Sequence, residues 1–92
     1  MFFRRPRMTK SEGASGIELV QDALGQYGVQ ISSDEGSREL QSLRMDDIDL
    51  LEAIQLVERF VGAKVDRKML RPSTTVAQIA QVIDETRRKD QA

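Results

Sequence analysis

The fold is decided by residues 46–62, which read DDIDLLEAIQLVERFVG. Asp46 is a favourable N-cap, and Asp47 and Asp49 follow it in the first turn, where the helix dipole stabilises carboxylates. Apolar residues then recur at helical spacing. They form one broad stripe: Ile48, Leu50, Leu51, Ala53, Ile54, Leu56, Val57, Phe60 and Val61. The segment therefore predicts a long helix that ends at Gly62.

A first helix is predicted upstream of this segment. Ser15 and Glu18 have the spacing of a capping box, and Gly28 supplies a left-handed stop, so the helix should run from about Gly16 to Tyr27. Its predicted buried side chains are Ile17, Val20, Leu24 and Tyr27. A long polar loop over residues 30–38 follows. The apolar residues expected to attach this loop to the core are Val29, Ile31 and Leu40.

Two further helices are predicted downstream. A short third helix is expected from Arg67 to Leu70, because Pro72 stops any longer one. Thr75 and Gln78 form a second capping-box pair. The fourth helix then repeats apolar residues at i, i+3, i+4 and i+7, namely Val76, Ile79, Ala80 and Ile83. The predicted fold class is all-α: a small four-helix bundle with three main helices, a short third helix and a long first loop.

Length and composition allow one small domain. Of the 92 residues, residues 15–86 carry the helical pattern, residues 1–14 are expected to be a disordered basic tail, and residues 87–92 a C-terminal tail. The predicted core contains Ile17, Val20, Leu24, Leu51, Ile54, Val57, Val76, Ile79 and Ile83. Met45 and Met69 are interpreted as core filler, with the lining of an apolar interior as the alternative.

Charge is distributed unevenly along the chain. The net charge of −1 conceals four basic residues before the first acidic one, whereas residues 11–86 carry −7. Nucleic acid is not expected as a partner, because phosphate binding needs a basic folded face. The basic tail is interpreted as a solvated end, and contact with nucleic acid or anionic lipid is the alternative.

The composition also argues against an enzyme. The chain contains neither Cys nor His, which removes thiolate ligands, disulfides and the commonest general base. No catalytic residue and no metal site are predicted. With no apolar run long enough to cross a bilayer and no signal-peptide pattern, a cytoplasmic, monomeric protein is expected.

The stretch Leu43-Arg44-Met45-Asp46-Asp47-Ile48 resembles the signature of acyl carrier proteins, a Leu-Gly-x-Asp-Ser-Leu motif that opens a Glu-bearing helix. Three later landmarks stand at the family's spacing: Val61, Val65 and the triplet Thr74-Thr75-Val76. The resemblance covers about residues 17–83. It implies a four-helix carrier fold that serves fatty-acid, polyketide or peptide synthesis.

Three residues depart from the family pattern, of which Ile48 in place of leucine is a conservative change. Carriers attach a 4′-phosphopantetheine arm to the motif serine, but Asp47 stands at that position and a carboxylate is a poor nucleophile for forming a phosphodiester. No cofactor is therefore expected on this chain. Arg44 replaces the family's glycine and places a cation on the surface that a partner would approach. Asp47 is interpreted either as a favourable helix-start residue, as a carboxylate read by a partner's cation, or as an engineered replacement of serine.

The resemblance also implies a docking face, because the second helix of carriers binds basic patches of partner enzymes. The residues expected to contact such biosynthetic enzymes here are Arg44, Asp46, Asp49, Glu52 and Glu58. A basic cluster, Arg67, Lys68 and Arg71, lies where many carriers have acidic residues. The function predicted is a non-catalytic docking module without an arm. The alternatives are an ordinary carrier with its serine altered, and an unrelated helical adaptor.

Overall fold

The computed structural model describes residues 14–90, with side chains described through Arg88. The predicted tail up to residue 13 therefore lies outside the described residues, as do residues 91–92. Within the described range the chain is built from α1 (Gly16–Gln26), α2 (Asp47–Val61) and α3 (Val76–Asp90). None of these helices is long and apolar enough to cross a membrane. The all-α class is confirmed for this part of the chain.

The helix boundaries follow the capping residues of the sequence. Ser15 and Glu18 form the predicted capping box at the start of α1. At the start of α3 the Gln78 side chain accepts from the Thr75 N–H at 2.8 Å, and the Thr75 hydroxyl accepts from the Gln78 N–H at 3.2 Å. Because these signals are local, they specify helix starts without reference to the rest of the fold.

Three short 3₁₀ turns connect the helices: Ser33–Glu35, Leu40–Leu43 and Arg67–Met69. The last of these lies where the short third helix is predicted, whereas the two turns between α1 and α2 are not predicted. The loop is attached to the start of α3 by backbone hydrogen bonds, from the Leu40 N–H to the Thr74 carbonyl at 2.8 Å and from the Val76 N–H to the Arg38 carbonyl at 3.0 Å. An isolated antiparallel bridge joins Glu39 and Thr75 at this point.

The core lies between the three helices, because α1 packs against both α2 and α3. Its largest fully buried side chains are Leu19, Leu24, Ile54, Val57, Val76, Ile79 and Ile83. Most of the predicted core is confirmed, but Leu19 is a central member that the sequence did not predict. Ile17 is half-buried and packs on the edge of the core.

Leu51 corrects the predicted core. Its side chain is half-buried and does not belong to the core cluster. The apolar stripe of α2 spans more than the half of the helix that faces α1, so its outermost members remain toward solvent. Leu51 is one of these members.

The packed helical unit extends slightly beyond the predicted boundaries at both ends. Ala14 falls within the predicted tail, yet it is buried and its carbonyl accepts a hydrogen bond from Arg87. α3 continues to Asp90, so the chain remains helical beyond residue 86. The contact between Ala14 and Arg87 fixes the beginning of α1 beside the C-terminal half of α3.

Candidate docking surface

The N-terminus of α2 has the capping geometry that the sequence predicts. Asp46 has extended backbone angles, φ −60° and ψ 143°, and its side chain accepts from the Ile48 N–H at 3.2 Å. Asp47 and Asp49 occupy the first turn, and both residues are exposed. Three carboxylates therefore surround one helix start, where the dipole favours negative charge.

An exposed isoleucine lies among these carboxylates. Ile48 is 65% exposed, and among the described residues it is the one large hydrophobic side chain that is exposed. Leu51 and Glu52 lie three and four positions further on and so share its side of the helix. We name the surface formed by these residues the acidic face of α2: Asp46, Asp47, Ile48, Asp49, Leu51 and Glu52.

Tyr27 lies at one edge of the acidic face. It is the C-cap residue of α1, and its hydroxyl interacts with Glu52. Partial burial raises the pKa of Tyr27, and the hydrogen bond to Glu52 and the charges of Glu52 and Asp49 raise it further. The end of α1 therefore lies near Glu52, in the first half of α2.

Glu58 does not lie on the acidic face, contrary to the sequence prediction. Its side chain is 9% exposed, and its carboxylate accepts from the Val65 N–H at 2.6 Å and from the Arg67 guanidinium at 2.9 and 3.0 Å. The hydrogen bonds from Arg67 hold the pKa of Glu58 below its ordinary value, against the effect of burial. Glu58 thus fastens the loop after α2 to the helix and is not available to a partner.

The basic cluster is divided by the same contact. Arg67 is paired with Glu58, whereas Lys68 and Arg71 are exposed. The Arg71 guanidinium donates to the Lys68 carbonyl at 3.1 Å. Lys68 and Arg71 are therefore the members of the cluster that lie outside this ion pair.

Arg44 lies just before the acidic face and has an unusual backbone conformation. It is the C-cap of the 3₁₀ turn Leu40–Leu43, with φ 54° and ψ 32°, and it is exposed. This left-handed region is the one that glycine adopts at low cost. Arg44 is the non-glycine residue with positive φ in the described chain.

A cleft of about 330 Å³ opens beside Asp47, between the start of α2 and the segment that precedes α3. Met45 lines the cleft, and both Met45 and Met69 are half-buried and pack against the core. The other lining residues are Leu40, Gln41, Leu50, Leu70, Arg71 and Pro72, together with Asp47 itself. The cleft is therefore lined by apolar side chains together with one amide, one carboxylate and one guanidinium.

The side chains of the described residues do not form a metal site, since no three acidic side chains converge on one point. The acidic face is instead spread along the helix surface. Chemically, it offers charge pairing and apolar contact.

The exposure of Ile48 is the feature that sequence reasoning missed. A helical wheel contained the signal, because positions 48, 52, 55 and 59 follow one line along the helix and carry Ile, Glu, Gln and Arg. Because three of these four residues are polar, this line of α2 is expected to face solvent. The prediction instead included Ile48 in a wide apolar stripe.

Comparison with protein-family models, curated proteins and solved structures finds no match to this chain.

Proposed function

We propose that this chain is a carrier-protein-like interaction module that docks through the acidic face of α2 onto a basic patch of a biosynthetic enzyme. The observation that carries the proposal is the 65% exposure of Ile48 among the carboxylates of Asp47, Asp49 and Glu52. Protein interfaces commonly have an apolar centre and a polar rim. Ile48 and Leu51 supply such a centre here, and the carboxylates supply the rim.

The likeness to carriers is supported by local geometry as well as by motif spacing. The family has a glycine where Arg44 stands, and Arg44 adopts the left-handed conformation that glycine favours. Asp46 caps the helix, and Asp47 follows as its first residue, where the family has its serine. The order of a long first loop, a long second helix and a short turn before the last helix also agrees with the family.

The proposed module has no phosphopantetheine arm at Asp47. Arm transfer requires a hydroxyl oxygen that attacks the pyrophosphate of coenzyme A, and a carboxylate would give an acyl phosphate that hydrolyses readily. Asp47 is exposed at the helix start, so access does not limit the reaction at this position. The chemistry of the side chain limits it.

A loading experiment separates the carrier alternatives. The chain and its Asp47→Ser variant are incubated with coenzyme A and a promiscuous phosphopantetheinyl transferase, and intact mass is measured. We expect no mass increase for the unaltered chain. Loading of the variant alone would favour an ordinary carrier whose serine was altered, whereas a folded but unloaded variant would favour a module or adaptor whose surface has also diverged. Loading of the unaltered chain would contradict the proposal, and Ser42 would be the nearest hydroxyl to examine.

A second experiment tests the docking face. A photo-crosslinking residue at position 48 should capture the partner, whereas the same residue at exposed position 81 of α3 should not. With the partner identified, Asp49→Lys combined with Glu52→Lys should weaken binding at least tenfold and reduce its salt dependence. The matched control is Asp34→Lys combined with Glu85→Lys, which changes the net charge equally at exposed positions outside α2. Equal weakening by both double variants would exclude a specific acidic docking face.

A further inference from the structure

The first ten residues have a composition complementary to the acidic face. They contain four basic residues and two of the three Phe residues of the chain, and they include no acidic residue. The acidic face carries four carboxylates around Ile48 and Leu51. The cleft of about 330 Å³ adjoins it at Asp47 and is lined by apolar side chains together with Gln41, Asp47 and Arg71. One segment of this chain thus combines the charge and the aromatic side chains that the surface lacks.

The connection to Ala14 allows this segment to reach the acidic face. Ala14 lies beside Arg87, at the beginning of α1, and the end of α1 meets α2 through Tyr27 and Glu52. α1 has 11 residues and so spans about 16 Å at 1.5 Å per residue. The axis of α2 lies about 8–10 Å from that of α1. Its exposed side lies about 5 Å further out, since a helix with its side chains is about 10–12 Å across. The seven residue steps from Arg7 to Ala14 can extend over about 23–25 Å, and the ten steps from Arg4 to Ala14 over about 33–36 Å.

We propose that residues 2–10 bind in cis to the acidic face of α2, pairing Arg4, Arg5 and Arg7 with its carboxylates and placing a phenyl ring against Ile48 or in the adjoining cleft. The segment would then cover the surface that a partner must contact. This regulatory consequence rests on the proposed docking function, but the intramolecular contact itself does not. The proposal favours this occupant over nucleic acid or lipid because the complementary surface is tethered within reach at a high effective concentration.

Paramagnetic relaxation measurements on the full chain test the contact without any partner. The chain has no cysteine, so Met8→Cys gives a single site for a nitroxide label. We expect the amide signals of Ile48 to Glu52 to lose at least half their intensity. A segment that does not bind the acidic face would instead broaden signals around its attachment, near Ala14 and Arg87, and this result would overturn the proposal.

Two controls make the result specific. Changing Arg4, Arg5 and Arg7 to Glu in the labelled chain should restore the signals of α2, and so should about 1 M salt, where the Debye length is about 3 Å. Mixing labelled chain with unlabelled, isotope-enriched chain should leave the α2 signals of the unlabelled copy unchanged. Broadening in that mixture would show that the segment binds a second copy, and the contact in cis would be wrong.

Binding of the labelled chain to phosphatidylserine-containing vesicles or to nucleic acid provides the competing outcome. The proposal fails if the label leaves the amide signals of α2 unaffected while changing Arg4, Arg5 and Arg7 to Glu abolishes binding to the vesicles or to nucleic acid. The segment would then bind that target and not the acidic face. The regulatory consequence has a separate measurement, since deletion of residues 1–10 should strengthen binding of an identified partner severalfold. A positive relaxation result without that gain would refute the regulatory consequence while preserving the intramolecular contact.

Discussion

Glu58 and Arg67 form the ion pair that holds the end of α2 to the loop after it. The Glu58 carboxylate is buried, but the Arg67 side chain is 45% exposed, so solvent screens part of their attraction. The Val65 N–H also donates a hydrogen bond to Glu58 and so helps to hold this loop against α2. The pair is therefore a structural contact, and its contribution should be measurable as stability.

We expect Glu58→Gln to lower the free energy of unfolding by roughly 1–2 kcal/mol near neutral pH. Because pairing holds the folded-state pKa of Glu58 below its ordinary value of 4.5, its stabilisation is complete above that value and is lost as the pH falls toward the lower folded-state pKa. The difference in the free energy of unfolding between Glu58→Gln and the unaltered chain should therefore be smaller at about pH 3.5 than at neutral pH. Chemical denaturation at both pH values measures it, with Glu85→Gln on α3 as a control expected to change the neutral-pH stability by less than about 0.5 kcal/mol. A difference that does not narrow would show that the carboxylate charge is not the origin of the effect.

Arg44 holds a left-handed backbone conformation without being glycine. Such a conformation costs a side-chain-bearing residue about 1–2 kcal/mol, of which the greater unfolded-state entropy of glycine offsets a part. Arg44→Gly should therefore raise the free energy of unfolding by up to about 1 kcal/mol, measured by denaturant titration. Arg38→Gly is the contrasting change, since Arg38 has no positive φ and donates to Glu35 and to the Ser42 carbonyl. Equal destabilisation by both substitutions would argue against the conformational explanation.

At the scale of the helix, α1 owes its position to a glycine. Gly16 is buried, its N–H donates to the Asp84 side chain at 2.8 Å, and a Cβ at this position would collide with the Ala80 carbonyl oxygen of α3. The sequence identified Gly16 only as the first residue of a helix. Its lack of a side chain is what allows the backbones of α1 and α3 to approach.

Gly16→Ala and Gly25→Ala, which lie in the same helix, should have opposite effects. Gly16→Ala should destabilise the protein by about 1–3 kcal/mol, because α1 must move away from α3 to accommodate the methyl group. Gly25→Ala should stabilise it by about 0.5–1 kcal/mol, because the new Cβ would meet only the Gln30 side chain at an ordinary 3.7 Å. Thermal and denaturant unfolding of the two variants measures both effects. Destabilisation by both would show that helix propensity does not govern position 25.

At the scale of the whole molecule, α2 faces both the core and solvent. Ile54 is 1% exposed, whereas Leu51 on the same helix is half-buried and lies outside the core cluster. Ile54→Ala should lower the free energy of unfolding by about 2–5 kcal/mol. Leu51→Ala should cost less than about 1.5 kcal/mol, because little cavity forms at a solvent-facing position. Equilibrium unfolding compares the two, and an equal loss would place Leu51 in the core as first predicted.

The sequence by itself determined the fold class, the helix starts and most of the core. Ser15, Asp46 and Thr75 specify their helix starts through hydrogen bonds to residues no more than three positions away, and Gly62 ends α2 through its own backbone. Such signals are local, so they can be recognised in the sequence without knowledge of the tertiary structure. The acidic residues of the candidate docking face were also identified as a group, because charge at a helix start is visible in the sequence.

Only the tertiary structure decided which of these residues are available. Glu58 is buried because Arg67, nine residues away, and the Val65 N–H meet it across a loop. Ile48 is exposed because α1 covers the opposite side of α2, and Gly16 is essential because Ala80 approaches it from a distant helix. Each outcome depends on contacts between residues separated in the chain. Periodicity gives the direction of a side chain relative to its own helix, but the packing of the other helices determines whether that direction leads into the core or into solvent.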